Sequence, residues 1–276
     1  MDKYLVFGNP IKQSRSPNIH RAFADSTNQL IEYDRQLSQV DQFENDVKAF
    51  FAQGGKGANV TAPFKEQALL LSDKLTDRAK LAEAVNTLSY IDGKIYGDNT
   101  DGIGLVQDLL RHNVVLKSSN ILILGAGGAA KGVILPILEQ EPVRVVIANR
   151  TVSKAEKICH QFDSFSDKKL HACGFDNLQD GRFDIIINAT SASLSGQFPA
   201  IPSSNITDST VCYDMVYGAT LTPFLQWAEQ QGAAKVIDGL GMLVGQAAES
   251  FNIWRKVNPD VESVLKTLRA EMSTAL

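Results

Sequence analysis

Ile121-Leu-Ile-Leu-Gly-Ala-Gly-Gly-Ala-Ala-Lys-Gly132 is the stretch that decides the fold. Four apolar residues read as a short buried strand. Gly125, Gly127 and Ala130 then give G-x-G-x-x-A at the opening of a helix. The first glycine permits a tight turn. The second lets a pyrophosphate approach the backbone, and the small third residue lets helix and strand pack closely. The helix N-terminus offers free N–H groups to phosphate. A Gly-rich turn without a ligand would carry the same letters. Placed between a strand and a helix, with another strand at 143–148, the motif points to a dinucleotide site. Pro136 lies inside the helix and is expected to kink it or end its regular pattern, with yielding Gly132 four residues back.

Outward from this unit, short apolar runs alternate with helical patterns. Strands are expected at 4–7, 31–36, 57–60, 121–124, 143–148, 185–188, 211–215 and 235–237, with helices such as 41–53, 103–113 and 223–231 between them. That alternation predicts an α/β protein with parallel layers. Two alternating runs around Asp92-Gly93 predict a tight hairpin. Boundaries near Asp101 and Asp238 divide the chain into two α/β domains. Residues 1–101 plus 238–276 form one, and a Rossmann-type doubly wound domain occupies 102–237. A ligand cleft is expected between them.

Composition excludes several classes. Hydrophobic residues make up 44% and charged residues 21%, as in ordinary globular proteins. The net charge of −4 gives no support for a nucleic-acid partner. No segment is long and apolar enough for a bilayer. Cys159, Cys173 and Cys212 are scattered and form no ligand cluster with the four histidines, so they read as reduced thiols and no metal is expected. A cytoplasmic location follows.

The stretch 146–154, "VIANRTVSK", stands where a dinucleotide fold places its ribose-binding acid. Asn149, Arg150 and Thr151 occupy it instead. An acid there would accept from a ribose 2′-OH and repel a 2′-phosphate, whereas Arg150 attracts one. Thr151 or Ser153 adds a hydroxyl and Lys154 a second charge. NADP is therefore expected. A Thr151 N-cap before a solvated helix face is the plainer alternative.

In "NVTAPFKEQ" (59–67), Pro63 suits a first helical turn, which would also hold Lys65. A cation is disfavoured at that end of a helix dipole, so Lys65 reads as a residue facing a substrate, though a solvated lysine is also consistent. "GDNTDGIG" (97–104) supplies Asp101 as a carboxylate partner for Lys65, or simply N-cap residues. In "SRSPNIH" (14–20), Ser16 before Pro17 fits an N-cap. Ser14 beside it suggests a carboxylate site. In "GLGMLVGQAAESF" (239–251), Leu240, Val244, Ala247 and Phe251 mark a core stripe. Met242 and Gln246 share a face that fits a site wall or ordinary exposure.

Taken together and in this order, with "AVNTL" (84–88), "INATSAS" (187–193) and "YDMVYGATLTPFL" (213–225), these motifs resemble the shikimate/quinate dehydrogenase family over nearly the whole chain. The resemblance implies reversible NADPH-dependent reduction of 3-dehydroshikimate to shikimate. It implies Lys65 and Asp101 as the catalytic pair, and Ser14 and Ser16 on the substrate carboxylate. Asn59, Thr61, Asn86, Asp101, Tyr217 and Gln246 would contact ring hydroxyls or line that pocket. Asp77, Gly125, Ala126, Gly127, Gly128, Ala129, Ala130, Asn149, Arg150, Thr151, Lys154, Thr190, Met215, Gly239 and Met242 would lie along the cofactor. Lys154 departs from the arginine many members carry. A small-molecule partner and a monomer or homodimer are expected. The alternatives are a quinate/shikimate dehydrogenase with broader cofactor use and a non-catalytic NADP sensor.

Overall fold

The computed structural model describes residues 1–178 and 181–274. Its contacts divide the chain into two compact units, Met1–Gly104 with Leu243–Leu268, and Leu105–Met242 with the chain from Arg269 on. The sequence reading placed all of 238–276 in the first domain. The structure instead puts 238–242 and the chain from Arg269 in the second unit. The reason is local: Asp238 ends a strand of that unit's sheet, and Arg269 forms a two-pronged ion pair with it.

The first unit begins with β1 (Asp2–Gly8), α1 (Ser16–Ser26), β2 (Ile31–Leu37), α2 (Phe43–Ala52) and β3 (Gly55–Val60). It continues through α3 (Lys65–Leu71), β4 (Lys74–Leu75), α4 (Asp77–Ala82), β5 (Thr87–Ile91) and β6 (Lys94–Asp98). The sheet order is β2-β1-β3-β5-β6-β4. It is mixed rather than wholly parallel, because β5 runs antiparallel to both β3 and β6. The cause is the expected hairpin. Asp92 and Gly93 take φ of 50° and 76°, the left-handed pair that a type I′ turn requires. Phe7, Phe43, Val47, Phe64, Val85 and Leu88 form the centre of this unit's core.

The second unit begins within α5 (Asp101–Arg111), whose first residues belong to the first unit. It comprises β7 (Asn120–Leu124), α6 (Gly128–Leu138), β8 (Arg144–Ala148), α7 (Val152–Gln161), α8 (Asp163–Ser166) and β9 (Leu170–Cys173). Then come β10 (Ile185–Asn188), β11 (Val211–Asp214), α9 (Pro223–Gln230) and β12 (Lys235–Asp238). The helices α10 (Leu240–Arg255) and α11 (Val261–Thr274) complete the chain. The order β12-β11-β10-β7-β8-β9 is all parallel and is the doubly wound Rossmann arrangement. Ile121 to Leu124 are 0% exposed, which is why β7 reads as a continuous apolar run. The topological switch lies between β7 and β10, so the Gly-rich turn after β7 sits where such folds take ligands. Helix α6 passes through Pro136 and stops two residues later.

Candidate active site

In the first unit, Lys65 is the first residue of α3. Pro63 lies ahead of the helix, not in its first turn, because Thr61 and Phe64 close a separate turn (Phe64 N–H to Thr61 O, 3.0 Å). Lys65 Nζ pairs with Asp101 Oδ2 at 2.6 Å, the two side chains 32% and 16% exposed. The other oxygen, Oδ1, accepts from Asn86 Nδ2 at 2.8 Å. Just ahead of α5, Asn99 Oδ1 accepts from Asp101 N–H at 3.1 Å. Asp98 is held by Arg78 through two bonds of 2.7 Å and by Thr76 at 2.6 Å. Capping therefore does not account for Asp101, whose carboxylate is committed to Lys65 and Asn86.

A buried polar network surrounds the pair. Asn86 Nδ2 also reaches Thr100 Oγ1 at 3.0 Å and, more weakly, Gln246 Oε1 at 3.4 Å. Asn59 is 5% exposed and its amide is fully engaged within the protein. Its Oδ1 accepts from the Tyr33 hydroxyl (2.7 Å) and faces His20 Nε2 (3.1 Å), while Nδ2 donates to Asn86 O (3.1 Å) and Ser250 Oγ (3.0 Å). Asn59 thus orders its neighbours rather than presenting free polar atoms. Thr61 is half-buried at the end of β3, and its methyl occupies the space a Cβ on Gly8 would need.

His20 stacks on Tyr33 with ring centroids 4.1 Å apart, and Nδ1 has no partner. Burial pushes its pKa down from 6.5 to about 3, the Asn59 bond opposing this only in part. The ring is neutral throughout the physiological range.

Ser16 was expected as the cap of α1. The structure makes it the first helical residue, with Arg15 at the cap position and no side-chain cap bond. Ser14 is the serine that meets the helix end: its Oγ accepts from Ser16 N–H at 3.3 Å and lies 3.2 Å from Ser16 Oγ. Ser16 itself is buried. Asp77 opens α4 as an exposed residue paired with Lys80 at 3.1 Å.

In the second unit, Gly125 takes φ +107°, and a Cβ there would come 2.9 Å from the Thr190 methyl. Gly127 is the cap residue of α6 and has no side chain to close the helix end. Cβ atoms on Gly127 and Gly128 would meet nothing within 4 Å, and Gly127, Gly128 and Ala129 are exposed. Ala126 is half-buried and Ala130 buried. No acid stands in the first turn of α6, so its N–H groups are open to an anion.

After β8, Asn149 Nδ2 bonds Thr151 O at 2.9 Å and shapes the turn. Thr151 occupies the cap position of α7, but its side chain makes no cap bond. Arg150, Thr151, Ser153 and Lys154 are all exposed. Among the described residues neither Arg150 nor Lys154 pairs with a carboxylate. Two cations at a helix N-terminus oppose the helix dipole, and an anion resolves that conflict. Thr190, Met215, Tyr217 and Met242 are half-buried and Gly239 is buried, packed so closely on the Met215 carbonyl that a Cβ would collide.

Comparison with known proteins separates this arrangement from other Rossmann enzymes. Three family models match in succession: "Shikimate dehydrogenase substrate binding domain" at 6–88, "Shikimate / quinate 5-dehydrogenase" at 108–201, and "Shikimate 5'-dehydrogenase C-terminal domain" at 239–269. A protein of Colwellia psychrerythraea described as shikimate dehydrogenase (NADP(+)) is 60% identical, over 98% of each chain. This chain belongs to the shikimate dehydrogenase family. Solved structures of the family agree in shape. The enzyme from Aquifex aeolicus is 32% identical, with a TM-score of 0.85 over 98% of each chain. That from Thermus thermophilus, solved with NADP(H) and shikimate, is 28% identical, with a TM-score of 0.86 over 98% of this chain and 99% of the other.

Other features are accounted for by structure alone. Among the described residues no cluster suits a metal ion, and no helix is long and apolar enough to cross a membrane. All three cysteines are free, and burial raises their pKa values, to about 11 for Cys159 and about 12 for Cys212. They are poor nucleophiles at neutral pH.

Proposed function

We propose that this chain is an NADP-dependent oxidoreductase that reversibly reduces 3-dehydroshikimate to shikimate, in chorismate and aromatic amino-acid biosynthesis. The observation that carries the chemistry is the Lys65–Asp101 pair at 2.6 Å, set among hydroxyl and amide side chains rather than in a generic surface pair. When bound, the cofactor supplies the hydride in reduction and accepts it in the reverse direction. Lys65 Nζ donates a proton to the carbonyl oxygen as negative charge develops there, and takes it back in oxidation. Asp101 Oδ2 holds Nζ in place, and Asn86 holds Asp101.

Ser14 and Ser16 bind the substrate carboxylate. Thr61, Asn86 and Gln246 line the ring pocket, with Asn59 holding the Asn86 backbone from behind. The residues present fit NADP. Residues 125–130 offer an open glycine turn and an uncapped helix end to the pyrophosphate, and Arg150, Thr151 and Lys154 offer unpaired polar groups to the 2′-phosphate. Asn149, Thr190, Met215, Gly239 and Met242 complete the cofactor contacts. The first unit serves as the substrate domain and the second as the nucleotide domain. The protein works in the cytoplasm on a small molecule, as a monomer or homodimer, without nucleic acid or membrane.

Absorbance at 340 nm tests this directly, with shikimate or quinate as substrate and NADP or NAD as acceptor. Turnover of shikimate with NADP supports the reading. Equal use of quinate or NAD would favour a broader quinate/shikimate dehydrogenase, and absence of any turnover with intact NADP binding would favour a sensor.

A further inference from the structure

Three neighbouring strands of the second unit end in the same device. Asn188, Asp214 and Asp238 are the last residues of β10, β11 and β12, and they stand side by side in register. Each side-chain oxygen accepts the backbone N–H two residues on: Thr190 N to Asn188 Oδ1 (3.1 Å), Val216 N to Asp214 Oδ1 (3.0 Å), and Leu240 N to Asp238 Oδ1 (3.2 Å). The row therefore shapes three turns at the carboxyl edge of the sheet. Those turns carry Thr190, Met215 and Gly239.

Asp214 is the centre of the row. It is 0% exposed, and among the described residues no cation is paired with it. Its charge is met by neutral donors alone. Oδ1 accepts from Asn188 Nδ2 (3.1 Å) as well as Val216 N–H, and Oδ2 accepts from Ser193 Oγ (2.6 Å) and Thr222 Oγ1 (2.6 Å). A buried carboxylate without such bonds would be strongly unfavourable, so the four donors and the acid fix one another.

Orientation then propagates. Because Asn188 must turn Nδ2 toward the acid, its Oδ1 faces Thr190 and accepts from both N–H (3.1 Å) and Oγ1–H (2.7 Å). The Thr190 methyl in turn lies against Gly125 of the phosphate turn. Ser193 anchors the segment beyond Thr190, and Thr222 caps α9 by accepting from Leu225 N–H.

We propose that Asp214 is a positioning residue for the cofactor: through Asn188, Ser193 and Val216 it sets the turns that present Thr190 and Met215 at the β10–β11 edge. This rests on the reading that those residues line NADP. Asp214 acts through them and touches no reacting atom. Its influence is local. The sheet order separates β10 and β11 from β8, after which Arg150 stands.

The test uses Asp214→Asn and, in case that variant fails to fold, Ser193→Ala, which removes one donor. Binding of NADP and of adenosine 2′,5′-bisphosphate is measured by calorimetry on each folded variant. The fragment reaches the Arg150 end but lacks the nicotinamide half. The expected result is a rise of roughly tenfold or more in Kd for NADP with less than about a twofold change for the fragment, the scale of losing hydrogen bonds to a charged group. Unchanged NADP binding in a folded variant overturns the proposal. Equal weakening of NADP and the fragment also overturns it, since that is general loss of structure. Arg150→Ala serves as the control. If it leaves fragment binding intact, the cofactor reading itself fails, independently of Asp214.

Discussion

Asp101 divides its two carboxylate oxygens between Lys65 and Asn86, one on each side. The ammonium group is thus aimed by a carboxylate that is itself fixed. In Lys65→Ala the proton donor is lost while the rest of the pocket stays in place. The expected kcat loss is roughly 10²–10⁴-fold, the scale of a positioned acid–base group. Shikimate affinity, measured by calorimetry, should change far less. Near-normal turnover in the folded variant would remove Lys65 from the chemistry.

Neither serine side chain near α1 is a standard cap, which sharpens the test of the carboxylate site. Replacing Ser14 and Ser16 together with Ala should raise KM for shikimate, each lost bond to a charged group contributing roughly 1.5–3 kcal/mol. kcat should change little. Because Ser16 makes no cap bond and Ser14 contributes only one 3.3 Å bond to the helix start, Tm should fall only modestly. A large drop in Tm with unchanged KM would make the serines structural.

Much of this was legible in the sequence because local chemistry and final role coincide. The run at 121–124 and the glycines after it predict β7 and its turn, since a strand buried on both faces must be apolar and the turn needs φ > 0. Asp92-Gly93 similarly reveals its hairpin. The strands β4 and β9 left no comparable signal. One is two residues long, and the other, "LHAC", is a four-residue edge strand with polar His171 breaking the apolar pattern. The roles of Asn59 and Asp214 were also hidden. Each is defined by partners distant in sequence, such as Ser250 for Asn59 and Asn188 for Asp214, which spacing along the chain does not disclose. Sequence did signal Lys65, because a cation at a helix start conflicts with its surroundings until Asp101 is seen.

His20 gives the fold an acid-sensitive element. Its folded-state pKa is about 3, against 6.5 for an ordinary imidazole, because burial disfavours the charged ring. The unfolded chain therefore binds a proton that the folded chain refuses between these values. Stability from this source is fully present above pH 6.5, falls as pH drops through the window, and is fully lost near pH 3, a contribution of up to about 5 kcal/mol. His20→Gln, which retains a donor for Asn59, should flatten the stability curve between about pH 6 and 4 in urea titrations. An unchanged slope would show that His20 is not the group responsible.

The stretch after β8 decides the cofactor. Arg150 is exposed, planar and always charged, and among the described residues it has no carboxylate to satisfy it. Thr151 leaves its hydroxyl free at the start of α7, and Lys154 adds a second charge in the first turn. The residues 149–154 contain no acid, so NAD finds neither a charge pair nor a carboxylate acceptor for its ribose there. NADP should be preferred over NAD in kcat/KM by at least roughly 10²-fold, about 3 kcal/mol of differential binding in the transition state. Because the group lies at the surface, raising ionic strength should erode the preference. Arg150→Ala should remove most of it by weakening NADP while leaving NAD nearly unchanged. Kinetics with both cofactors at two salt concentrations measure each part. Equal use of NADP and NAD by the unaltered protein, or equal damage to both in Arg150→Ala, would show that this turn does not hold the 2′-phosphate.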